Sequence, residues 1–159
     1  MEYFTLARVV HVIAVILWIG GVSMVTTVLI PAIKRMKSKE EQIKTFETIE
    51  GKFSFQAKIT TLLAGLSGLY MLYDMNAWNR YLDYRFWWIH AMTLVWIIFT
   101  LILYVLEPFV LHKLFKKYAN ENPEKTFNIV QRLHWVLLIV SLITTAGAVA
   151  GAHGWYWLK

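Results

Sequence analysis

The sequence predicts an all-α membrane protein built as a bundle of four transmembrane helices. Of its 159 residues, 58% are hydrophobic, and the mean hydropathy of +0.49 is far above that of soluble domains. A helix needs about 20 residues to cross the hydrocarbon layer, and four apolar segments meet that length. We expect the spans at roughly 6–31, 55–74, 86–111 and 134–152 of a single membrane domain, residues 1–159.

Proline and capping signals mark several ends of these helices. Pro31 is expected to stop the first helix, and Glu107-Pro108 lies near the end of the third. Asn122 followed by Pro123 is typical of an N-cap with proline in the first turn. We therefore expect the last helix to begin well before its apolar run.

Lysine and arginine are concentrated in two segments. Segment 32–58 holds seven of the 16 basic residues and segment 112–133 holds five, so the positive-inside rule places both in the cytoplasm and both termini outside. Residues 38–52 are predicted to form a short amphipathic cytoplasmic helix. Its apolar side consists of Ile43, Phe46 and Ile49. An outer aromatic belt is expected from Tyr3, Trp78, Tyr81, Tyr84, Trp87, Trp88, Trp155, Tyr156 and Trp157.

Composition excludes several classes of function. The chain has no cysteine, which removes disulfides, thiolate metal sites and iron–sulfur clusters. The net charge of +6 indicates basic cytoplasmic loops. The sequence has no basic stretch interleaved with exposed aromatics, so we expect no nucleic-acid partner. The expected partner is the lipid bilayer, and the expected location is the inner (plasma) membrane of a bacterium or archaeon.

Small residues recur at helical spacing in two of the spans. Gly147 and Gly151 are four residues apart, as are Ala64 and Gly68, and such pairs favour close helix packing. Gly20-Gly21 thins the first span in the same way. A flat cofactor pressed against a helix would require the same thinning, so both interpretations remain open.

Two histidines occupy equivalent depths in different spans. His11 and His90 are each one to two turns inside the outer boundary. An ionisable side chain in a span usually faces the bundle interior and binds or relays something. Two imidazoles on two helices are the ligands of a low-spin haem iron, so we expect bis-His ligation of haem b by His11 and His90. The simpler alternative is an interhelical hydrogen bond from each ring.

The neighbours of these histidines fit a porphyrin. Arg8 is one turn closer to water than His11, and Arg85 lies just outside His90, so both are placed to bind haem propionates. Trp18 follows His11 by seven residues and Trp87 precedes His90 by three. These spacings keep each tryptophan on the face of its histidine, where it would form a wall of the cofactor pocket.

A second haem is conceivable on the cytoplasmic side. His112 and His134 lie near that boundary, beside Lys113 and Arg132. His90 and His112 are 22 residues apart, or ~33 Å along a helix, so they cannot share one site. Contact of His112 and His134 with lipid headgroups explains them equally well, and we expect one strong outer haem. His153 is expected at the outer interface, as a substitute ligand.

Copper is the second cofactor that the sequence permits. Met71 and Met75 are one turn apart at the outer end of the second span, and Met92 is close to His90. Thioethers bind Cu(I) and imidazoles bind copper in either state, although methionine in a membrane helix is usually packing. Glu107 is the carboxylate embedded in a span, and proton uptake from the cytoplasm is one role for it.

Several short motifs resemble known membrane families. The pattern from His11 through Trp18 to Gly20-Gly21 resembles the opening of the CopD-type and HemJ-type families. The segments Phe53-Ser54-x-x-Ala57 and Leu66-Ser67-Gly68-Leu69 are similar to the CopD pattern, and Trp88-Ile89-His90 is similar to the third helix of HemJ-type proteins. The HemJ likeness implies haem binding at His11 and porphyrinogen oxidation, and the CopD likeness implies copper handling. Met92 stands where HemJ-type proteins carry lysine, which argues against the oxidase activity.

The sequence therefore predicts a membrane haem b protein that transfers electrons at or across the membrane. A quinone-linked or porphyrinogen-linked oxidoreductase is included in that prediction. The alternatives are a copper-handling protein of CopD type and a membrane protein with a structural or assembly role. The redox partner or quinone, the haem count and a homo-oligomer are left open by the sequence.

Overall fold

The computed structural model describes residues 2–155, and every regular element in that range is helical, which confirms the all-α prediction. The predicted belt residues Tyr156 and Trp157 and the outer Lys159 lie outside the described residues. In chain order the α-helices are α1 Glu2–Met24, α2 Ile30–Lys34, α3 Lys39–Asp74, α4 Trp87–Leu101, α5 His112–Glu121 and α6 Pro123–Ala152. Two short 3₁₀ segments, Trp78–Leu82 and Tyr84–Phe86, connect α3 to α4.

Two π-helical segments join these helices into longer rods. Val25–Leu29 links α1 to α2, and Ile102–Leu111 links α4 to α5. Pro31 follows the first segment and Pro108 lies inside the second. A proline ring clashes with the carbonyl four residues earlier, and a π turn widens the helix at that point. The expectation that Pro31 stops the first helix is therefore wrong, because the helical rod continues to Lys34.

Three rods are long and apolar enough to cross a membrane, namely Glu2–Lys34, Tyr84–Glu121 and Pro123–Ala152. The chain is thus an integral membrane protein by the length and composition of its helices. The region predicted as the second span belongs to α3, a less apolar helix of 36 residues. Residues 38–52 do not form a separate short helix, since α3 runs without a break from Lys39.

Asparagine caps the last helix as the sequence predicts. The Asn122 side chain accepts a hydrogen bond from the backbone N–H of Lys125 at 3.0 Å, and α6 begins at Pro123. Because α5 ends at Glu121, the basic segment expected between the last two spans is almost entirely helical. It continues α4 and begins α6 rather than forming a loop.

Four helices share one central core. It is formed by Ala14, Trp18, Ile19, Val22, Ala64, Val95, Phe99 and Leu138, which come from α1, α3, α4 and α6. A second core lies where α1 ends and α3 begins. It is formed by Val25, Leu29, Ile30, Ile33, Phe46 and Phe127. Phe46 is buried there, as expected for the apolar side of the amphipathic segment.

The two glycines of α6 are contact points for tryptophan rings of α4. A Cβ on Gly147 would overlap the ring of Trp87, and a Cβ on Gly151 would overlap the ring of Trp88. The absence of a side chain lets each ring lie against the helix backbone. Close helix packing therefore explains this pair of small residues, and it fixes the N-terminal half of α4 against α6.

Candidate functional site

His11 is held between α1 and α3. Its Nδ1 lies 2.9 Å from the carbonyl oxygen of Ala64 and 3.2 Å from the hydroxyl oxygen of Ser67. A carbonyl oxygen only accepts, so Nδ1 donates to Ala64 and Nε2 keeps its lone pair. Gly68 lies directly beside the ring, since a Cβ there would be 3.3 Å from Cε1 of His11. The structure thus orients this half-buried imidazole and leaves Nε2 as the nitrogen able to bind a metal.

His90 faces away from the bundle interior. Its Nε2 donates to the carbonyl oxygen of Tyr81 at 2.9 Å, and the two rings meet edge to face with centroids 5.2 Å apart. The ring is exposed, on the same side of α4 as exposed Leu94 and Leu101. The buried side of α4 consists of Trp88, Ile89, Val95 and Phe99. His11 and His90 therefore have separate surroundings, and the structure does not bring them together.

The two tryptophans predicted as porphyrin walls occupy different helix contacts. Trp18 lies on the His11 face of α1 but packs edge-on to Phe99, with ring centroids 4.8 Å apart. Only 4% of Trp18 is exposed, so the ring is in the central core. Trp87 lies on α6 at Gly147. The structure thus uses both rings to pack helices together.

The predicted propionate ligands lie near the starts of two helices, Arg8 in α1 and Arg85 just before α4. Arg8 is exposed on α1, one turn from His11. Arg85 forms an ion pair with Asp83, with the Nη2 to Oδ2 distance at 2.6 Å. The hydrogen bonds from Arg85 hold the pKa of Asp83 below its usual value. Asp83 therefore competes with any anionic ligand for Arg85.

The two histidines predicted near the cytoplasmic boundary differ in their surroundings. His112 is exposed at the first position of α5. His134 is half-buried on α6, and its Nδ1 donates to the carbonyl oxygen of Val130 at 2.9 Å. It shares the helix face of buried Leu138, whereas His112 faces out. At the C-terminal end of α6, the exposed His153 donates from Nδ1 to the carbonyl oxygen of Val149 at 2.8 Å.

A polar cluster surrounds Glu107 between α3 and the second π-helical segment. The Ser54 hydroxyl donates to Oε2 of Glu107 at 2.5 Å, and Nζ of Lys58 lies 3.1 Å from the same oxygen. The Tyr104 hydroxyl donates to the carbonyl oxygen of Lys58 at 2.8 Å. Sequence reasoning singled out Glu107 alone. Ser54 and Lys58 are four residues apart and so share one face of α3, but nothing in that spacing connects them to Glu107 on another helix.

Glu50 and Glu47 extend this cluster along α3. Burial, and next the negative charge of Glu107, raise the pKa of Glu50 to about 7, although Lys58 acts in the opposite direction. Oε1 of Glu47 is buried and has no hydrogen-bond partner. Glu47, Glu50 and Ser54 follow steps of three and four residues, so they occupy one face of the helix. The protein thus keeps a protonatable carboxyl next to a carboxylate–lysine pair.

Within residues 2–155, four other buried polar atoms also have no hydrogen-bond partner. They are Nε1 of Trp18, Oγ1 of Thr61, Oγ1 of Thr100 and Oγ of Ser141. Each belongs to a different helix of the bundle: α1, α3, α4 or α6. Polar atoms buried in a core almost always have a partner, from protein or from ordered water. Four such atoms in one bundle are therefore a feature that requires an explanation.

The described part of the chain contains no cluster built to hold a bare metal ion. Within residues 2–155, no three His, Asp or Glu side chains are grouped in a way that could hold one. A haem brings four nitrogen ligands of its own, so this finding bears on copper rather than on haem. Two open cavities, of 390 Å³ at the connection between α3 and α4 and 440 Å³ between α1 and α3, have no histidine among their lining residues.

No family model matches this chain, and no curated protein or solved structure shows significant similarity to it. The resemblance to the CopD-type and HemJ-type families thus stays a prediction from short motifs. The candidate site is defined by geometry alone, as an oriented histidine at one end of the bundle and a carboxylate cluster at the other.

Proposed function

We propose that the chain is a haem b protein of the membrane that transfers electrons at or across the bilayer. In this proposal α3 is a fourth crossing, beside the three helices that are long and apolar enough to span. Both termini lie outside, because seven and five of the 16 basic residues fall in the two segments placed inside. The proposal includes a quinone or a porphyrinogen as the source of the electrons.

The geometry of His11 is the observation that carries this proposal. Histidines that bind a metal almost always donate the other ring N–H to a carbonyl or carboxylate, which fixes the tautomer and the ring orientation. His11 has that arrangement, and its partner Ala64 is on a neighbouring helix. A bound haem would supply the redox chemistry. The chain would hold it at Nε2 of His11 and lead its propionates towards exposed Arg8.

His90 is proposed as the second axial ligand, as the sequence predicts. Its Nε2 now donates to the Tyr81 carbonyl, and a net protein hydrogen bond contributes only about 1 kcal/mol. Losing that bond is a small cost beside metal coordination. The outward direction of His90 is the larger obstacle, and it makes the contribution of this residue separately testable. His112 is exposed, so one haem is expected rather than two.

An absorption spectrum of the purified protein tests the proposal directly. We expect a Soret band that shifts reversibly with dithionite and about one haem per chain. His11→Ala should abolish both. His153→Ala is the matched control, because His153 also donates from Nδ1 to a carbonyl but is exposed at the helix end. If His11→Ala keeps its full haem content, the proposal is overturned. If His90→Ala keeps its full haem content, only the assignment of His90 as the second ligand is overturned.

Copper handling is the second candidate function. It is favoured by one observation, the position of Met75 in the lining of the 390 Å³ cavity at the connection between α3 and α4. A thioether suits Cu(I), whereas Asp83 in the same lining is already paired with Arg85. A colourless protein that takes up Cu(I), and loses that uptake in Met75→Leu, would replace the haem proposal with this one.

A further inference from the structure

An open groove of 440 Å³ runs between α1 and α3. Its wall on α1 extends from Ile16 to Met24 and includes Leu17, and all three side chains are exposed. Eight residues of helix span ~12 Å, which is close to the roughly 15 Å thickness of the hydrocarbon in one leaflet. The groove is therefore apolar along α1 and long enough to hold most of one acyl chain.

Two adjacent glycines shape this groove in different ways. A Cβ on Gly21 would overlap the ring of Phe53, so this glycine lets α3 approach α1 closely. A Cβ on Gly20 would have nothing within 4 Å, and Gly20 is exposed. Glycine weakens a helix relative to alanine, and no contact within residues 2–155 requires it at position 20. Gly20 thus leaves an unfilled notch, as a glycine does where a ligand approaches the backbone closely.

The polar side chains of the lining both come from α3. They are Lys52 and Gln56, which are four residues apart and so share one face of the helix. Among residues 2–155, Lys52 forms no ion pair, whereas Lys58 of the same helix is paired with Glu107. The residues three and four positions from Lys52 along α3 include no carboxylate. The charge of Lys52 is therefore available to an anion from outside the chain.

Lys52 lies towards the cytoplasmic end of the groove. Helices α1 and α3 run antiparallel, since Gly21 meets Phe53 whereas the earlier His11 meets the later Ala64. Lys52 precedes the predicted span of α3 by three residues, or ~5 Å along the helix. A lysine at such a position lays its stem along apolar surface and places its ammonium among the headgroups. The cation and the apolar notch thus match the two ends of a lipid molecule.

We propose that this groove binds one anionic glycerophospholipid of the cytoplasmic leaflet. Its phosphate pairs with Lys52, the amide of Gln56 donates to an ester oxygen, and one acyl chain lies in the notch at Gly20. The inference rests on the crossing of α3 in the proposed function and not on haem.

The charge of Lys52 distinguishes this occupant from two others. An uncharged isoprenoid quinone would leave the ammonium without a counterion. A second copy of the chain, related by a two-fold axis through the groove, would bring two Lys52 side chains together, and like charges repel. An anionic lipid complements both the cation and the apolar wall.

Native mass spectrometry of the delipidated full-length protein tests the headgroup. The probes are phosphatidylglycerol and phosphatidylcholine with identical acyl chains. We expect one phosphatidylglycerol to bind about fivefold more tightly than phosphatidylcholine, and Lys52→Gln to remove that preference. Lys44→Gln is the matched control, because Lys44 is an exposed lysine two turns earlier on α3 and does not line the groove. Equal binding of the two lipids by the wild type, or a preference that survives in Lys52→Gln, would overturn the proposal.

Gly20→Leu tests the position of the acyl chain. Leucine fills the notch, so binding of both lipids should fall severalfold. The melting temperature should not fall, because leucine favours helix and meets no atom of the chain at its Cβ. Unchanged phosphatidylglycerol binding in Gly20→Leu would contradict the proposal.

The same spectra report the oligomeric state. A wild-type dimer without lipid preference that becomes a monomer in Gly20→Leu would make the groove an interface between copies and overturn the lipid site. None of these readouts involves haem, so a protein without haem leaves the lipid result standing. Cysteine labelling on either side of α3 reports its crossing separately.

Discussion

Three histidines donate from Nδ1 to a backbone carbonyl, but only one of these bonds crosses between helices. The partners of His134 and His153 are carbonyls of their own helix, four residues earlier. The partner of His11 is Ala64, 53 residues away on α3. The orientation of His11 therefore depends on how α1 packs against α3. A change anywhere in that contact would act on the candidate site.

Glu50 makes the stability of the protein depend on pH. Its pKa rises from 4.5 to about 7 in the folded chain, mainly because of burial. A carboxyl with a raised pKa stabilises the fold fully below its unfolded value, and that contribution is lost as pH rises through the folded value. The loss therefore falls between about pH 4.5 and pH 7.

Glu50→Gln should remove this dependence. We expect the variant to melt several degrees above the wild-type protein at pH 8 and to differ little from it at pH 4.5. Thermal melts in detergent across that range measure the effect. Glu40→Gln is the control. It removes an exposed carboxyl from the first turn of the same helix, where negative charge is favourable, so it should not raise the melting temperature at pH 8. Equal melting temperatures of Glu50→Gln and wild type at pH 8 would contradict the prediction.

Among the helices, the parts that could be predicted from sequence are those set by local signals. The N-cap at Asn122 and the apolar side of the segment around Phe46 were predicted, since both depend on neighbouring residues. The direction of His90 was not. Helix α4 is apolar on every side, with Leu94 59% exposed and Val95 6% exposed. Hydropathy therefore carries no information about which side is buried.

The buried side of α4 is set instead by its partner helix. Two tryptophan rings of α4 lie against Gly147 and Gly151 of α6, and that contact fixes the rotation of α4 about its own axis. The pair Trp87-Trp88 and the two glycines are 59 or more residues apart, so no local pattern connects them. The Glu107 cluster escaped prediction for the same reason, because its partners Ser54 and Lys58 lie on another helix.

Glycine substitutions test this account of α4 and α6. Gly151→Ala places a Cβ inside the ring of Trp88, and overpacking of this kind costs about 1–3 kcal/mol. We expect the apparent melting temperature to fall by about 3–10 °C. Gly20→Ala is the matched control, because nothing lies within 4 Å of a Cβ there. Alanine favours helix over glycine by about 1 kcal/mol, so this variant should be as stable as wild type or more so.

At the scale of the whole molecule, the least apolar of the long helices connects the two ends of the candidate site. Helix α3 is 36 residues long, or ~54 Å, and it carries Lys58 and the buried hydroxyls of Ser54, Thr61 and Ser67. Those polar groups face other helices: Lys58 pairs with Glu107, and Ser67 lies beside His11. A helix of this composition is suited to the interior of a bundle, where its polar face is covered.

The path of α3 decides the topology of the chain, and cysteine labelling resolves it. The chain has no cysteine, so single substitutions can be labelled without background. Suitable exposed positions are Lys37 before α3, Asn79 after it and Asn120 near the end of α5.

If α3 crosses the bilayer, an impermeant maleimide should reach Asn79→Cys from outside intact cells, while Lys37→Cys and Asn120→Cys react only after lysis. If α3 does not cross, Lys37→Cys and Asn79→Cys would behave alike and Asn120→Cys would behave oppositely. We expect the first pattern, because the positive-inside rule places the basic segments 32–58 and 112–133 in the same compartment. The second pattern would overturn the four-span model.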